Sequence, residues 1–162
     1  VIKRPKRLVL IGRSLGHSLS PTFQNAALQR AKLPLRYEAL DIPASALDDT
    51  LEELSAQDAA GNVTVPHKQA VFERCDRLMP LAQRAGAVNT FWFEHGELVG
   101  DNTDVDGIQA AVRQLLQRDP VDLTVGVIGA GGAAGAVLTA IESWPSSHAL
   151  VHNRTAERAA TL

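Results

Sequence analysis

Short apolar runs alternate with helix-opening signals along this chain, and that alternation limits the fold more than any other feature. Arg7–Gly12 (RLVLIG) reads as a buried strand. Pro21 then opens a helix with Ser20 as its N-cap, and Phe23, Ala27 and Ala31 fall on one face. Residues 35–40 read as a second strand, 44–57 as a second helix, and 61–65 (GNVTV) as a third strand broken by Pro66, which starts another helix. Residues 88–93 and 97–100 suit a hairpin around His95-Gly96. Residues 104–117 form an amphipathic helix with Ile108, Ala111, Val112, Leu115 and Leu116 in one stripe. After Arg118-Asp119-Pro120 come a strand at 123–128, a helix to about Trp144, a strand at 149–152 and a final helical start. Strand–helix alternation predicts an α/β fold with a mainly parallel sheet. The domain boundary is expected near the start of the 104–117 helix, dividing the chain into 1–104 and 105–162.

Composition narrows the function classes. The 162 residues are 45% hydrophobic and 21% charged, ordinary for a globular protein, and the net charge of -2 lacks the basic excess of a nucleic-acid binder. No run approaches the ~20 apolar residues of a membrane helix. The basic stretch from Val1 to Arg7 has neither the apolar run nor the small-residue cleavage site of a secretory signal. Cys75 is the one cysteine, set in a helix-like stretch and read as a structural thiol; a cytoplasmic location is expected. The chain begins without methionine and stops inside a helix, as a piece of a longer protein would.

Gly129, Ala130, Gly131, Gly132, Ala133 and Ala134 follow a strand and open a helix, the context of a dinucleotide fingerprint. Gly129 permits the tight turn, Gly131 lets a pyrophosphate approach the backbone, and Ala134 is small enough for helix–strand packing. Free N–H groups and the positive helix end then face the phosphates. The next strand ends in Asn153, Arg154 and Thr155, with Arg158 one turn on. Basic residues there accommodate a ribose 2′-phosphate, where a carboxylate would accept the 2′-hydroxyl, so NADP is favoured over NAD. The bland alternative makes Arg154 and Arg158 a solvated helix face.

Three polar clusters are hard to explain as folding signals: His17-Ser18-Leu19-Ser20-Pro21; residues 61–68 (GNVTVPHK); and residues 86–90 (GAVNT) with 100–104 (GDNTD). Each lies at a strand end or a helix start, where ligands collect in open parallel sheets. With the glycine turn and Asn153-Arg154-Thr155, these segments resemble the shikimate dehydrogenase family. Its HSxSP, NVTxPxK, AGAVNT, NTD, GAGGAA and NRT segments all occur here in order, from about Ile11 to Arg158.

The resemblance implies a substrate-binding α/β domain followed by the start of a Rossmann-type NADP-binding domain. It also implies a reversible hydride transfer between NADPH and the ring ketone of 3-dehydroshikimate. On the matching positions, Ser18 and Ser20 would hold the substrate carboxylate, and Thr64, Asn89 and Asp104 the ring hydroxyls. Lys68 would be the catalytic acid/base, paired with Asp104. These residue types suit the chemistry, because hydride addition builds negative charge on oxygen that a positioned ammonium stabilises and then protonates. Taken singly, Thr64 is an ordinary strand residue, Lys68 a solvated lysine and Asp104 a helix-start carboxylate favoured by the dipole; only the set makes a substrate site. The implied partner is a small-molecule substrate, with no nucleic acid and no membrane, in a monomer or homodimer. His17, His67 and His95 show no metal-ligand spacing, so no metal site is expected. Phe91, Trp92 and Phe93 read as sheet and core residues.

The chain departs from the family pattern in three ways. Ser14 stands where a proline is usual, and Gln24-Asn25 replaces a His-Asn pair; both read as loop and helix variation. Family members also run on for roughly another hundred residues, a half-domain's worth. Two other readings stay open: a quinate/shikimate dehydrogenase using NAD, and a non-catalytic ligand-binding domain of the same fold.

Overall fold

The computed structural model describes residues 4–162; Val1 to Lys3 of the basic amino-terminal stretch lie outside the described residues. In chain order the elements are β1 (Arg7–Gly12), α1 (Ser20–Arg30), β2 (Tyr37–Asp41), α2 (Leu47–Ala56), β3 (Ala59–Val63), α3 (Lys68–Phe72), β4 (Arg77–Leu78), α4 (Pro80–Ala85), β5 (Thr90–Glu94), β6 (Glu97–Asp101), α5 (Asp104–Leu116), β7 (Thr124–Ile128), α6 (Ala134–Glu142), β8 (His148–His152) and α7 (Ala156–Ala160).

β1 carries the most buried run of the first sheet, Val9, Leu10 and Ile11, and accordingly lies inside it. Six strands pair in the order β2-β1-β3-β5-β6-β4. β1 is parallel to β2 and β3, and β4 to β6, whereas β5 is antiparallel to both β3 and β6. The β5–β6 hairpin turns at His95 and Gly96, whose φ angles of 55° and 90° explain the histidine–glycine pair. β7 and β8 make a separate parallel pair. The chain is thus α/β with a mainly parallel sheet.

Two cores follow from these layers. On the first sheet, Val9, Ile11, Val63 and Phe91 meet Leu47, Leu51 and Leu54, which recur at helical spacing along α2. In the second core, Val127 of β7 packs with Ala134, Ala136, Ala140 and Ile141 of α6 and with Val105 of α5. Ala85 of α4 joins that second core and brings α4 against α6.

The structure corrects several sequence expectations. Ser20 is the first residue of α1, not its N-cap; Leu19 occupies the cap position, and no side chain caps the helix. Phe23, Ala27 and Ala31 are exposed, since α1 is held to the sheet by polar contacts rather than by an apolar stripe. The inward face of α5 is Val105, Ile108, Val112 and Leu116; Ala111 is exposed and Leu115 is 82% exposed, because the apolar stripe is narrower than the sequence count. Gln117 ends α5 in the left-handed conformation. Pro66 follows a cis peptide and precedes α3 rather than starting it. Cys75 lies in the coil after α3, and neither β4 nor α4 was signalled by periodicity, both being short.

Candidate active site

The carboxyl ends of β1 and β3 lie side by side because the strands are parallel. β5 is antiparallel, so its first residue, Thr90, pairs with Asn62 near the end of β3. β6 then ends beside the start of β5, through the Thr90–Asp101 pair. One edge of the sheet therefore collects the loop after β1 (Ser18, Ser20), the residues after β3 (Thr64, Lys68), Asn89 before β5, and Asp104 after β6. Backbone bonds from Thr64 N–H to Ile11 O (2.8 Å) and from Arg13 N–H to Val65 O (3.0 Å) continue the β1–β3 ladder into these loops.

At the centre of that edge, Lys68 Nζ donates to Asp104 Oδ2 at 2.5 Å, with 14% and 28% of the two side chains exposed. A half-covered ion pair of this kind needs its remaining lone pairs satisfied. Asn89 Nδ2 supplies one donor, to Asp104 Oδ1 at 2.7 Å. Asn89 is itself fixed: its Nδ2 also donates to Thr103 Oγ1 (3.0 Å), and its Oδ1 accepts from Thr103 N–H (2.9 Å) and Thr90 Oγ1 (3.0 Å). Asn102 is fully buried, accepts from Asp104 N–H at 3.0 Å and donates to Ala87 O at 2.8 Å. Asn62 donates to Thr90 Oγ1 (3.1 Å) and accepts from the Tyr37 hydroxyl (2.7 Å). Burial pushes that phenol up to about 12. The backbone of α3 is tied in through Val88 N–H to Lys68 O at 3.0 Å and through His67 Nε2–H to Ile42 O at 3.0 Å.

The structure thus brings Lys68, Asp104 and Asn89 into direct contact. Ser18 and Thr64 stand on adjoining loops and Ser20 at the start of α1, without a hydrogen bond to that trio. Ser18 Oγ accepts from Ser20 N–H at 3.3 Å. The serine segment is anchored by Asn25, which donates to Pro21 O (2.7 Å) and Tyr37 O (2.9 Å) and accepts from Tyr37 N–H (2.9 Å). Asn25, the half of the Gln24-Asn25 pair that matches the family pattern, is therefore a structural link between α1 and β2. Asn25, Tyr37, Asn62 and Asn102 carry the supporting shell, and sequence reasoning assigned none of them. Asn62 and Asn102 did lie inside the quoted motifs, which was the available signal.

The glycine turn faces the same place. Gly129 has φ of 104°, a conformation L side chains rarely adopt, and its N–H donates to His152 O at 2.8 Å. Ala130 N–H is taken by Asn153 Oδ1 at 3.2 Å. The N–H groups of Gly131, Gly132 and Ala133 have no partner among the described residues and immediately precede α6. A methyl group on Gly131 would meet nothing within 4 Å. Free donors, open space and a helix N-terminus together fit a pyrophosphate. Arg154 and Arg158 are exposed beyond β8, and neither guanidinium has an ion-pair partner among the described residues.

A cavity of about 510 Å³, lined by Arg4, Pro5, Trp92, Phe93 and His95 among others, opens at the opposite edge of the sheet, away from Lys68. Among the described residues no cluster of three or more His, Cys, Asp or Glu could hold a metal ion, and no helix is long and apolar enough to cross a membrane.

Known proteins resemble this chain in sequence and fold. The family model for the shikimate dehydrogenase substrate binding domain matches residues 10–91. A shikimate dehydrogenase (NADP(+)) of Methanopyrus kandleri is 40% identical over 154 residues, covering 94% of this chain and 53% of the relative. One from Cupriavidus pinatubonensis is 41% identical over 158 residues, covering 96% and 53%. The shikimate 5-dehydrogenase of Thermus thermophilus, solved with NADP(H) and shikimate, superposes with a TM-score of 0.80 at 36% identity, covering 96% of this chain and 58% of that one. The chain spans about half the length of the curated relatives it matches. By its match to that domain model over half its length, the chain belongs to the shikimate dehydrogenase family.

Proposed function

We propose that the full protein is an NADP-dependent shikimate dehydrogenase, interconverting 3-dehydroshikimate and shikimate. The observation that carries this reading is the Lys68–Asp104 pair at 2.5 Å, braced by Asn89 and set beside a turn with free phosphate-binding donors. Residues 1–104 form the substrate domain and 105–162 the linker helix and first part of the cofactor domain. The two relatives above carry the NADP(+) name, and the Thermus thermophilus structure holds both ligands.

In this reading the hydroxyls of Ser18 and Ser20 bind the ring carboxylate. Thr64, Asn89 and Asp104 orient the ring hydroxyls, and losing one such partner costs about 1–3 kcal/mol. NADPH, when bound, supplies the hydride that the carbonyl carbon accepts. Lys68 Nζ then gives its proton to the developing alkoxide, and in the reverse direction takes it back. Asp104 keeps Lys68 Nζ aimed, and Asn89 holds Asp104 in turn. Backbone N–H groups at Gly131, Gly132 and Ala133 take the pyrophosphate, and Ala134 lets α6 pack behind it; Gly129 and Ala130 shape the bend. Asn153 holds the turn through Ala130 N–H, while Arg154, Thr155 and Arg158 meet the 2′-phosphate. A cytoplasmic monomer or homodimer is the setting this reading implies.

Shikimate-dependent reduction of NADP by the full-length protein is the test. Turnover with shikimate and NADP supports the reading; no turnover by a folded full-length protein that binds both ligands rejects it.

A further inference from the structure

We infer that Gly132 is a positioning residue for Lys68 as well as part of the phosphate-binding turn, so that the turn governs proton transfer and not only cofactor affinity. The inference rests on the reading of Lys68 proposed above and goes beyond it.

Neighbouring glycines of the turn differ in what surrounds them. A methyl group on Gly131 would meet nothing within 4 Å, whereas one on Gly132 would stand 3.2 Å from Lys68 Cβ, 3.5 Å from Cδ and 3.8 Å from Cγ. Neither residue has a positive φ, so alanine suits the backbone at both positions. Lys68 therefore rests the apolar length of its side chain on Gly132 while its ammonium is tied to Asp104. With both ends held, few rotamers remain open to the stem. Alanine at 132 would press on the stem by a few tenths of an ångström, and the displacement is carried along the chain to Nζ. Misplacing a reacting group by such amounts costs rate rather than ground-state affinity for the cofactor.

The same contact couples the two halves of the site. The turn reaches Lys68 because α6 docks on α4, where a methyl group on Gly135 would stand only 1.9 Å from Ala85 O. Arg84 Nη2 to Glu142 Oε2 at 2.6 Å ties the same two helices.

The experiment compares Gly131→Ala with Gly132→Ala in the full-length protein, measuring kcat, both KM values, and the NADP Kd by calorimetry. For Gly131→Ala the expected loss is in NADP Kd and KM, because only the ligand meets the new methyl. For Gly132→Ala the expectation is a kcat lowered about fourfold to tenfold with NADP Kd changed less than about twofold. A Gly132→Ala protein that loses NADP affinity and keeps its kcat, as expected for Gly131→Ala, overturns the inference. Should Gly132→Ala fail to fold, the same change is placed on Lys68→Gly, which lacks Cβ, Cγ and Cδ alike. Recovery of the fold and of NADP binding then identifies Lys68 as the group the methyl meets, and a double variant that stays unfolded overturns the inference. An inactive wild-type protein counts instead against the dehydrogenase reading.

Discussion

Replacing Asn102 with alanine probes the support of the site without replacing any residue assigned to substrate or cofactor. Asn102 is fully buried, and its two side-chain bonds reach Ala87 O at 2.8 Å and Asp104 N–H at 3.0 Å. Alanine strands both groups. An unpartnered buried polar group costs about 1–3 kcal/mol. Ala87 is 1% exposed, so its carbonyl carries the full penalty, while the N–H of half-buried Asp104 carries the low end because water can reach it. The sum is about 2–4 kcal/mol, and for a protein of this size each kcal/mol lowers Tm by about 2–4 °C. The full-length Asn102→Ala protein should therefore melt roughly 5–15 °C below wild type. Asn102→Asp keeps the acceptor for Asp104 N–H but turns a carboxylate oxygen toward Ala87 O, so it should be no more stable than the alanine variant. Thermal unfolding, followed by far-UV circular dichroism, reads both. A loss under about 0.5 kcal/mol for Asn102→Ala, typical of surface changes, would refute the reasoning.

Two further outcomes follow from geometry and titration. Gly135→Ala gains up to about 1 kcal/mol of helix propensity, yet its methyl would lie 1.9 Å from Ala85 O, so α6 must shift and net destabilisation of about 1–3 kcal/mol is expected in urea; a stabilised variant would show that α4 and α6 are not packed this closely. Burial, and then the Asp76 charge, push the Cys75 thiol up from 9.0 to about 11. Alkylation at pH 8 should accordingly be about a hundredfold slower than for a free thiol and rise with pH toward 11. Because the folded value is raised, this thiol's contribution to stability is complete below pH 9.0 and lost as pH climbs through about 11. Rapid labelling at pH 8 would contradict that burial.

Long periodic elements were the legible part of the fold. β1 appears with the bounds its apolar run indicates, and the hairpin turns at His95-Gly96 because few other dipeptides accept two positive φ angles. α1 was legible as a helix but not in its packing, since Asn25 replaces an apolar face with three hydrogen bonds that no periodicity records. β4 has two residues and α4 six, too short for a repeating pattern to emerge. At the site, motif order pointed to Lys68, Asn89 and Asp104 as a set, since Lys68 alone reads as a solvated lysine and Asp104 alone as a helix-start carboxylate. Their supports were harder to see: Tyr37 and Asn102 act through partners far away in sequence, and only the parallel β2-β1-β3 order and the reversed β5 bring those partners together. Contact between Gly132 and Lys68 was beyond sequence reasoning, because it depends on how α6 settles on α4.

The central claim is that Lys68 moves the proton while other groups hold the ring. Its most direct test is Lys68→Ala in the full-length protein, with shikimate affinity measured by calorimetry beside NADP reduction followed by nicotinamide absorbance. The account predicts a kcat lower by at least about a hundredfold, the usual scale for removing a general acid or base, with shikimate Kd changed only severalfold. Turnover left near the wild-type rate would contradict it.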